Sequence, residues 1–263
     1  MIFGNNNKKS FLYLYFPLIT IIIAIVIYLI YINNYKENYE NPDEIICLSA
    51  EETQRFIRED RDGYIKNLSI YDLRARKAKS NDEYKQTVIN SCLDITAEQK
   101  KKLSICCREA RKFFDNNRQW IFACIDNNYE EGFPHTRTTI IFLSPNIINS
   151  NEENLIKTLI HESIHIYQRY NKEAMEVYLN KNNYSRNRKK PEGSLIRANP
   201  DLDEYLYKDE NGREFVAYYS SEYPKGINDI TLTNYHYEHP YEKMAYEIAE
   251  SYSRQLLSKY KDV

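Results

Sequence analysis

The chain carries no dominant charge. Its 36 lysines and arginines against 38 aspartates and glutamates leave a formal net charge of −2, so no global field draws it to nucleic acid. Cysteine supplies no framework either. Cys47, Cys92, Cys106, Cys107 and Cys124 contain no C-x-x-C pair and no zinc-finger spacing. An odd count fits neither a complete disulfide scaffold nor a redox motif. Cys106 and Cys107 fall in a helical pattern and read as small core residues. No internal repeat and no low-complexity block occurs, which sets aside repeat architectures. What is left is a chain of 263 residues with mass enough for one large domain or two small ones.

One long hydrophobic run is present. Residues 11–32 carry no charge and are dominated by Ile, Leu, Tyr and Val. A helix of that length spans roughly 30 Å, the thickness of a hydrocarbon core. Tyr13, Tyr15, Tyr28 and Tyr31 fall toward its ends as an aromatic belt, and no small-x-small cleavage site follows. The sequence therefore predicts a short tail over 1–10, an uncleaved transmembrane helix in the lipid bilayer over 11–32, and a polar linker over 33–48. Lys8 and Lys9 precede the run, so the positive-inside rule predicts a cytoplasmic N-terminus, with the remainder on the opposite side of the membrane.

Residues 49–263 read as one α+β domain, with a helical part over 49–117 and a catalytic part over 118–263. Ser49 to Glu52 and Thr96 to Gln99 are capping boxes ahead of amphipathic runs. Residues 120–125 and 138–143 read as strands, the second as an edge strand able to hold an extended peptide. Ser150 to Glu153 reads as a third capping box, opening a helix. An insertion over 171–238 holds a helix to Leu179, a basic run over 185–190, an acidic loop over 199–203 that could take calcium, and a hairpin over 204–219 turning at Asn211-Gly212.

The third helix carries His161-Glu162-Ser163-Ile164-His165, an H-E-x-x-H motif. Positions i and i+4 share a helix face, so both imidazoles reach one metal ion. Glu162 points into the same site and can take a proton from water there. A catalytic zinc needs a third protein ligand and keeps one position open. The metzincin extension is absent, since Gln168 stands at its glycine position and Asn171 at its third histidine. A glutamate on a later helix is the other common solution. Pro240 opens such a helix. At about 100° per residue, Glu242 falls roughly 65° from the centre of the stripe of Ala245, Ile248, Ala249, Tyr252 and Leu256, whereas Glu247 and Glu250 lie roughly 155° and 145° away. Glu242 is thus the inward carboxylate, with His236, Glu238 and His239 as reserve ligands. A developing oxyanion needs a further donor, and Tyr235, His236, Tyr237 and Arg197 are the candidates.

With Glu242-Lys243-Met244-Ala245 as an E-x-x-A segment, the combination resembles the gluzincin class of zinc metallopeptidases. The stretch between His165 and Glu242 is longer than in compact members. The resemblance implies a zincin-like α+β fold with a small sheet packed on the motif helix. It also implies Zn2+ held by His161, His165 and Glu242, with Glu162 as general base in hydrolysis of a peptide or protein substrate by zinc-activated water. The apolar N-terminus and composition also resemble proteins of large DNA viruses. The other reading is a membrane-anchored binding or structural protein with a vestigial or structural metal site. Structural zinc has four protein ligands and no open position.

Overall fold

The structure is a computed structural model that describes residues 45–233 and 236–261. The predicted tail, the predicted transmembrane helix over 11–32, the linker as far as residue 44, and Tyr235 lie outside the described residues. Among the described residues no helix is long and apolar enough to cross a membrane.

The chain is a mixed α+β fold. In order its elements are β1 (Ile46–Cys47), α1 (Ala50–Glu59), α2 (Ile70–Ala75), α3 (Asn81–Asn90), β2 (Cys92–Leu93), α4 (Ala97–Phe113), β3 (Ile121–Ile125), β4 (His135–Arg137), β5 (Ile140–Leu143), α5 (Pro145–Ile148), α6 (Glu152–Tyr170), α7 (Lys172–Lys181), β6 (Ser185–Lys189), β7 (Tyr205–Lys208), β8 (Glu214–Phe215), β9 (Ala217–Tyr219), β10 (Ile230–Leu232) and α8 (Pro240–Lys261). The main sheet is built on β3. Parallel β5 lies on one side of it, with β4 antiparallel beyond, while parallel β1 and antiparallel β2 share the other side.

Alternation along β3 and β5 divides the core. Phe122, Cys124, Ile141 and Leu143 face a layer made by α4, α6 and α8. Ala123, Ile125, Ile140 and Phe142 face α1 and α3, where Ile57, Tyr84 and Val88 are buried. Successive side chains of a strand point to opposite faces. With helices covering both faces, these strands read as unbroken apolar runs rather than half-polar ones. Leu155, Leu159, Ile160 and Ile164 of α6 are all fully buried, because this helix lies between the sheet and its neighbours. Cys106 and Cys107 are core residues, as their spacing predicts. No described cysteine is in a disulfide, and burial pushes the Cys106 thiol up to about 11.

Three expectations need correction. The linker ends early. Ile45 is buried and Ile46–Cys47 pairs with β3, because Ile45-Ile46-Cys47-Leu48 is itself a short apolar run. The helix α6 is capped one residue later than predicted: Asn151, not Ser150, accepts from the Asn154 N–H at 2.8 Å. The strand over 138–143 is not an edge, since β5 has β3 on one side and β4 on the other. The edge is β4, and its outward groups at Thr136 are already engaged. The Thr136 N–H donates to Asp201 Oδ1 at 2.6 Å, and Arg169 donates to the Thr136 carbonyl at 3.5 Å. Backbone addition of a peptide is therefore blocked at both places.

The insertion forms two small sheets, β6-β7-β8 and β9-β10. Its hairpin turns at Gly212 as predicted, at φ +77°, a left-handed conformation that favours glycine, but it ends at Phe215, and Ala217–Tyr219 pairs with β10 instead. The basic run is strand β6, and Arg186, Arg188 and Lys189 pair with Glu176, Glu214 and Glu204. The acidic loop holds no calcium cage. Asp201 is on Thr136 while Asp203 accepts from the Tyr207 hydroxyl at 2.7 Å.

Two buried arginines tie the ends of α1 and α2 to β4 and to the turn between β3 and β4. Arg137 pairs with Asp60 and Asp62, and Arg76 lies between Asp72 and Glu130. Burial raises the Glu130 pKa, but Arg76 outweighs it and holds the carboxyl below its usual range. A depressed folded pKa gives stability that is present above the unfolded value, about 4.3, and lost as pH falls through the folded value. Glu130→Gln leaves Arg76 poorly compensated and is expected to lower unfolding free energy by about 3–5 kcal/mol at pH 7. It is also expected to flatten the acid limb below about pH 4.3. Urea denaturation at a series of pH values checks both, and an unchanged midpoint with an unchanged acid limb contradicts them.

Candidate metal centre

No glycine or proline interrupts α6 between its Asn151 cap and Tyr170, so His161 and His165 stand one turn apart on one face. Their Nε2 atoms are 3.0 Å apart. The second element, α8, is started by His239, whose Nδ1 accepts from the Tyr241 N–H at 3.1 Å, with Pro240 as the first helical residue. This start delivers Glu242 to the histidines. Its Oε2 lies 3.5 Å from His161 Nε2 and 3.7 Å from His165 Nε2. Glu247 and Glu250 are exposed, as the helical angles predict, and pair with Lys243 and Lys157. Among the described residues, His161, His165 and Glu242 are the one group of three such donors placed to share a metal ion.

The donor geometry can be tested against a cation. A tetrahedron with bonds of about 2.05 Å has edges of roughly 3.3 Å. The separations of 3.0, 3.5 and 3.7 Å bracket that edge. The residues thus fit a small divalent ion with one vertex left open.

Neighbouring groups orient two of the donors. Gln168 Nε2 donates to the Tyr241 carbonyl at 2.9 Å, which turns its Oε1 to His165 Nδ1, also at 2.9 Å. An amide oxygen only accepts, so Nδ1 carries a proton and Nε2 is the nitrogen that faces the site. Asn199 Nδ2 donates to Glu242 Oε1 at 2.9 Å, leaving Oε2 toward the histidines. The Tyr246 ring packs edge-on against His161, with centroids 4.5 Å apart.

Glu162 is 2 % exposed and its Oε2 has no hydrogen-bond partner. Burial, reinforced by Asp201, holds its carboxyl well above the usual range. For His165, burial is outweighed by the carboxylates of Asp201 and Glu242, which push the imidazole up to about 10. Burial would raise Glu242, but His165 and His161 hold it well below the usual range. The site therefore gathers carboxylates around a point where positive charge is favoured.

The centre opens on a cleft of about 520 Å3 lined by His161, Glu162, Glu242, Asp201 and Tyr246. Of the predicted oxyanion donors, His236 is exposed and Tyr237 half-buried, and both line the cleft. Arg197 also lines it, but its guanidinium is held by Glu238 at 2.5 Å and by the Ile227 carbonyl at 3.3 Å. The reserve ligands stay apart from the donor group. Glu238 is on Arg197 and Asn199, and His239 Nε2 lies 3.4 Å from Asp203. His135 begins β4, is buried and stacked on Phe142, and also lines the cleft.

Sequence reasoning missed Gln168, Asn199, Asp201 and Tyr246 as parts of the site. Helical spacing could have found two of them, because Gln168 is three residues after His165 and Tyr246 four after Glu242. Nothing local marks Asn199 or Asp201. The chain matches no family model, no curated protein and no solved structure with which it was compared.

Proposed function

We propose that the chain is a zinc-dependent peptidase, with Zn2+ held by His161, His165 and Glu242 and Glu162 as the general base. The observation that carries the reading is the set of donor separations, 3.0, 3.5 and 3.7 Å, across two helices. A small mixed sheet packed on the motif helix supports a zincin-like fold. Bound zinc would supply a Lewis acid and acidify water beside it.

The chain's own groups do the rest. Gln168 and Asn199 fix two of the donors. Glu162, buried with a free acceptor oxygen, takes the proton of the attacking water and returns it to the leaving amine. Positive charge at the donor group opposes the burial and the carboxylates that raise Glu162, and brings it toward the ionised form a base needs at neutral pH. His236 and Tyr237 are the donors facing the developing oxyanion, since Arg197 is committed to Glu238. The segment 11–32 anchors the enzyme in a bilayer, with the N-terminus cytoplasmic and the catalytic part on the opposite side. A three-donor group beside an open cleft favours this over a structural site, which takes four ligands.

The test is metal analysis joined to digestion of a peptide library. One zinc per chain is expected, with cleavage that 1,10-phenanthroline abolishes and added zinc restores. Binding without cleavage would favour the structural or vestigial site. A chain that binds no zinc overturns the reading.

A further inference from the structure

Asp72, in α2, has no exposed surface, and its carboxylate is divided between two tasks. Oδ2 accepts from the backbone N–H and hydroxyl of Ser69, at 2.9 and 2.6 Å, and caps its own helix. Oδ1 accepts from the Ala198 N–H at 2.8 Å and the Tyr219 hydroxyl at 3.0 Å. One turn on, Arg76 Nη2 donates to the Ala198 carbonyl at 3.3 Å. Both backbone polar groups of Ala198 are thus held by side chains of one helical turn.

The next residue is Asn199. Its Nδ2 reaches Glu242 Oε1 at 2.9 Å and its Oδ1 accepts from the Asp201 N–H at 2.9 Å. A carboxylate ligand whose second oxygen is fixed presents the first in one orientation, and such outer partners tune metal affinity. The buried ion pair is not needed merely to seat α2. Apolar side chains of similar volume hold a buried contact at least as well as a buried salt bridge. What they would not do is fix the N–H and carbonyl of Ala198.

We infer that Asp72 and Arg76 are positioning residues of the metal centre, acting on Glu242 through Ala198 and Asn199. The inference rests on the zinc reading. It makes the helical part over 49–117 part of the centre, although it supplies no ligand.

The test is zinc affinity of the full chain, measured by competition with a chromogenic chelator. Asn199→Ala is expected to weaken affinity about 10–100-fold, and Asp72→Ala by about tenfold or more within that range. If both act on one link, the double variant binds no more weakly than Asn199→Ala alone. Asp72→Ala that lowers the unfolding midpoint but leaves zinc affinity unchanged overturns the inference, as do fully additive losses in the double variant. Should Asp72→Ala fail to fold, Arg76→Lys, which keeps a charge against Glu130, replaces it in the same cycle. Failure of the unaltered chain to bind zinc overturns the zinc reading itself and is seen before any variant is compared.

Discussion

Glu162→Gln is expected to lower peptide hydrolysis by roughly a hundred- to ten-thousand-fold while zinc content stays unchanged. Glutamine keeps the shape of glutamate but cannot accept the proton. The substitution breaks no hydrogen bond at Oε2, which has none to lose. It also replaces a carboxyl whose ionised form is disfavoured by burial and by Asp201, so removing that form costs the fold little. Activity and stability therefore move in opposite directions: cleavage is lost and the unfolding midpoint holds or rises. Single-turnover cleavage, metal analysis and thermal denaturation on the same preparation read all three quantities. Cleavage equal to that of the unaltered chain would remove Glu162 from the reaction. A falling midpoint would show that Glu162 has a structural partner.

The second large effect is loss of zinc in Glu242→Ala. Outer partners of metal ligands change affinity about 10–100-fold, and removing a ligand is expected to exceed that range. At a free zinc concentration of about 1,000 Kd, binding stabilises the unaltered chain by about 4 kcal/mol, and the variant loses this thermal shift. Glu247→Ala and Glu250→Ala, on exposed faces of the same helix, are the controls and keep it. The chelated protein has a pH signature as well. His165 is raised to about 10 by Asp201 and Glu242 against burial. Its contribution is fully present below the unfolded value, about 6.5, and is lost as pH rises through the folded one. Stability of the chelated chain therefore declines across that interval, and Glu242→Ala makes the decline shallower. An unaltered zinc shift in Glu242→Ala would assign the third ligand elsewhere.

The parts of this protein that could be read from the sequence are those fixed by local periodicity. The caps at Ser49 and Thr96, the runs that became β3 and β5, and the inward face of Glu242 all follow from spacing of 2 or 3.6 residues. Strand order did not follow. The edge strand β4 is His-Thr-Arg, too short and too polar to show alternation, and β1 is two residues at the end of a polar stretch. Within the candidate site the three donors His161, His165 and Glu242 were legible and the groups that hold them were not. Asn199 acts on Glu242, and Asp72 acts on Ala198, across distances in sequence that carry no periodic signal. Asp201 reads locally as one of several loop acids, and only the fold brings it to the cleft that Glu162 lines.

The closed edge at β4 also bears on how the protein behaves in a crowd. An open strand edge offers unpaired N–H and carbonyl groups that recruit another chain and seed aggregation. Here the edge is three residues long, follows Pro134, which has no N–H to offer, and has both outward groups of Thr136 engaged by Asp201 and Arg169. That side of the sheet gives a second copy nothing to pair with, so copies held at high local concentration stay dispersed there rather than joining edge to edge.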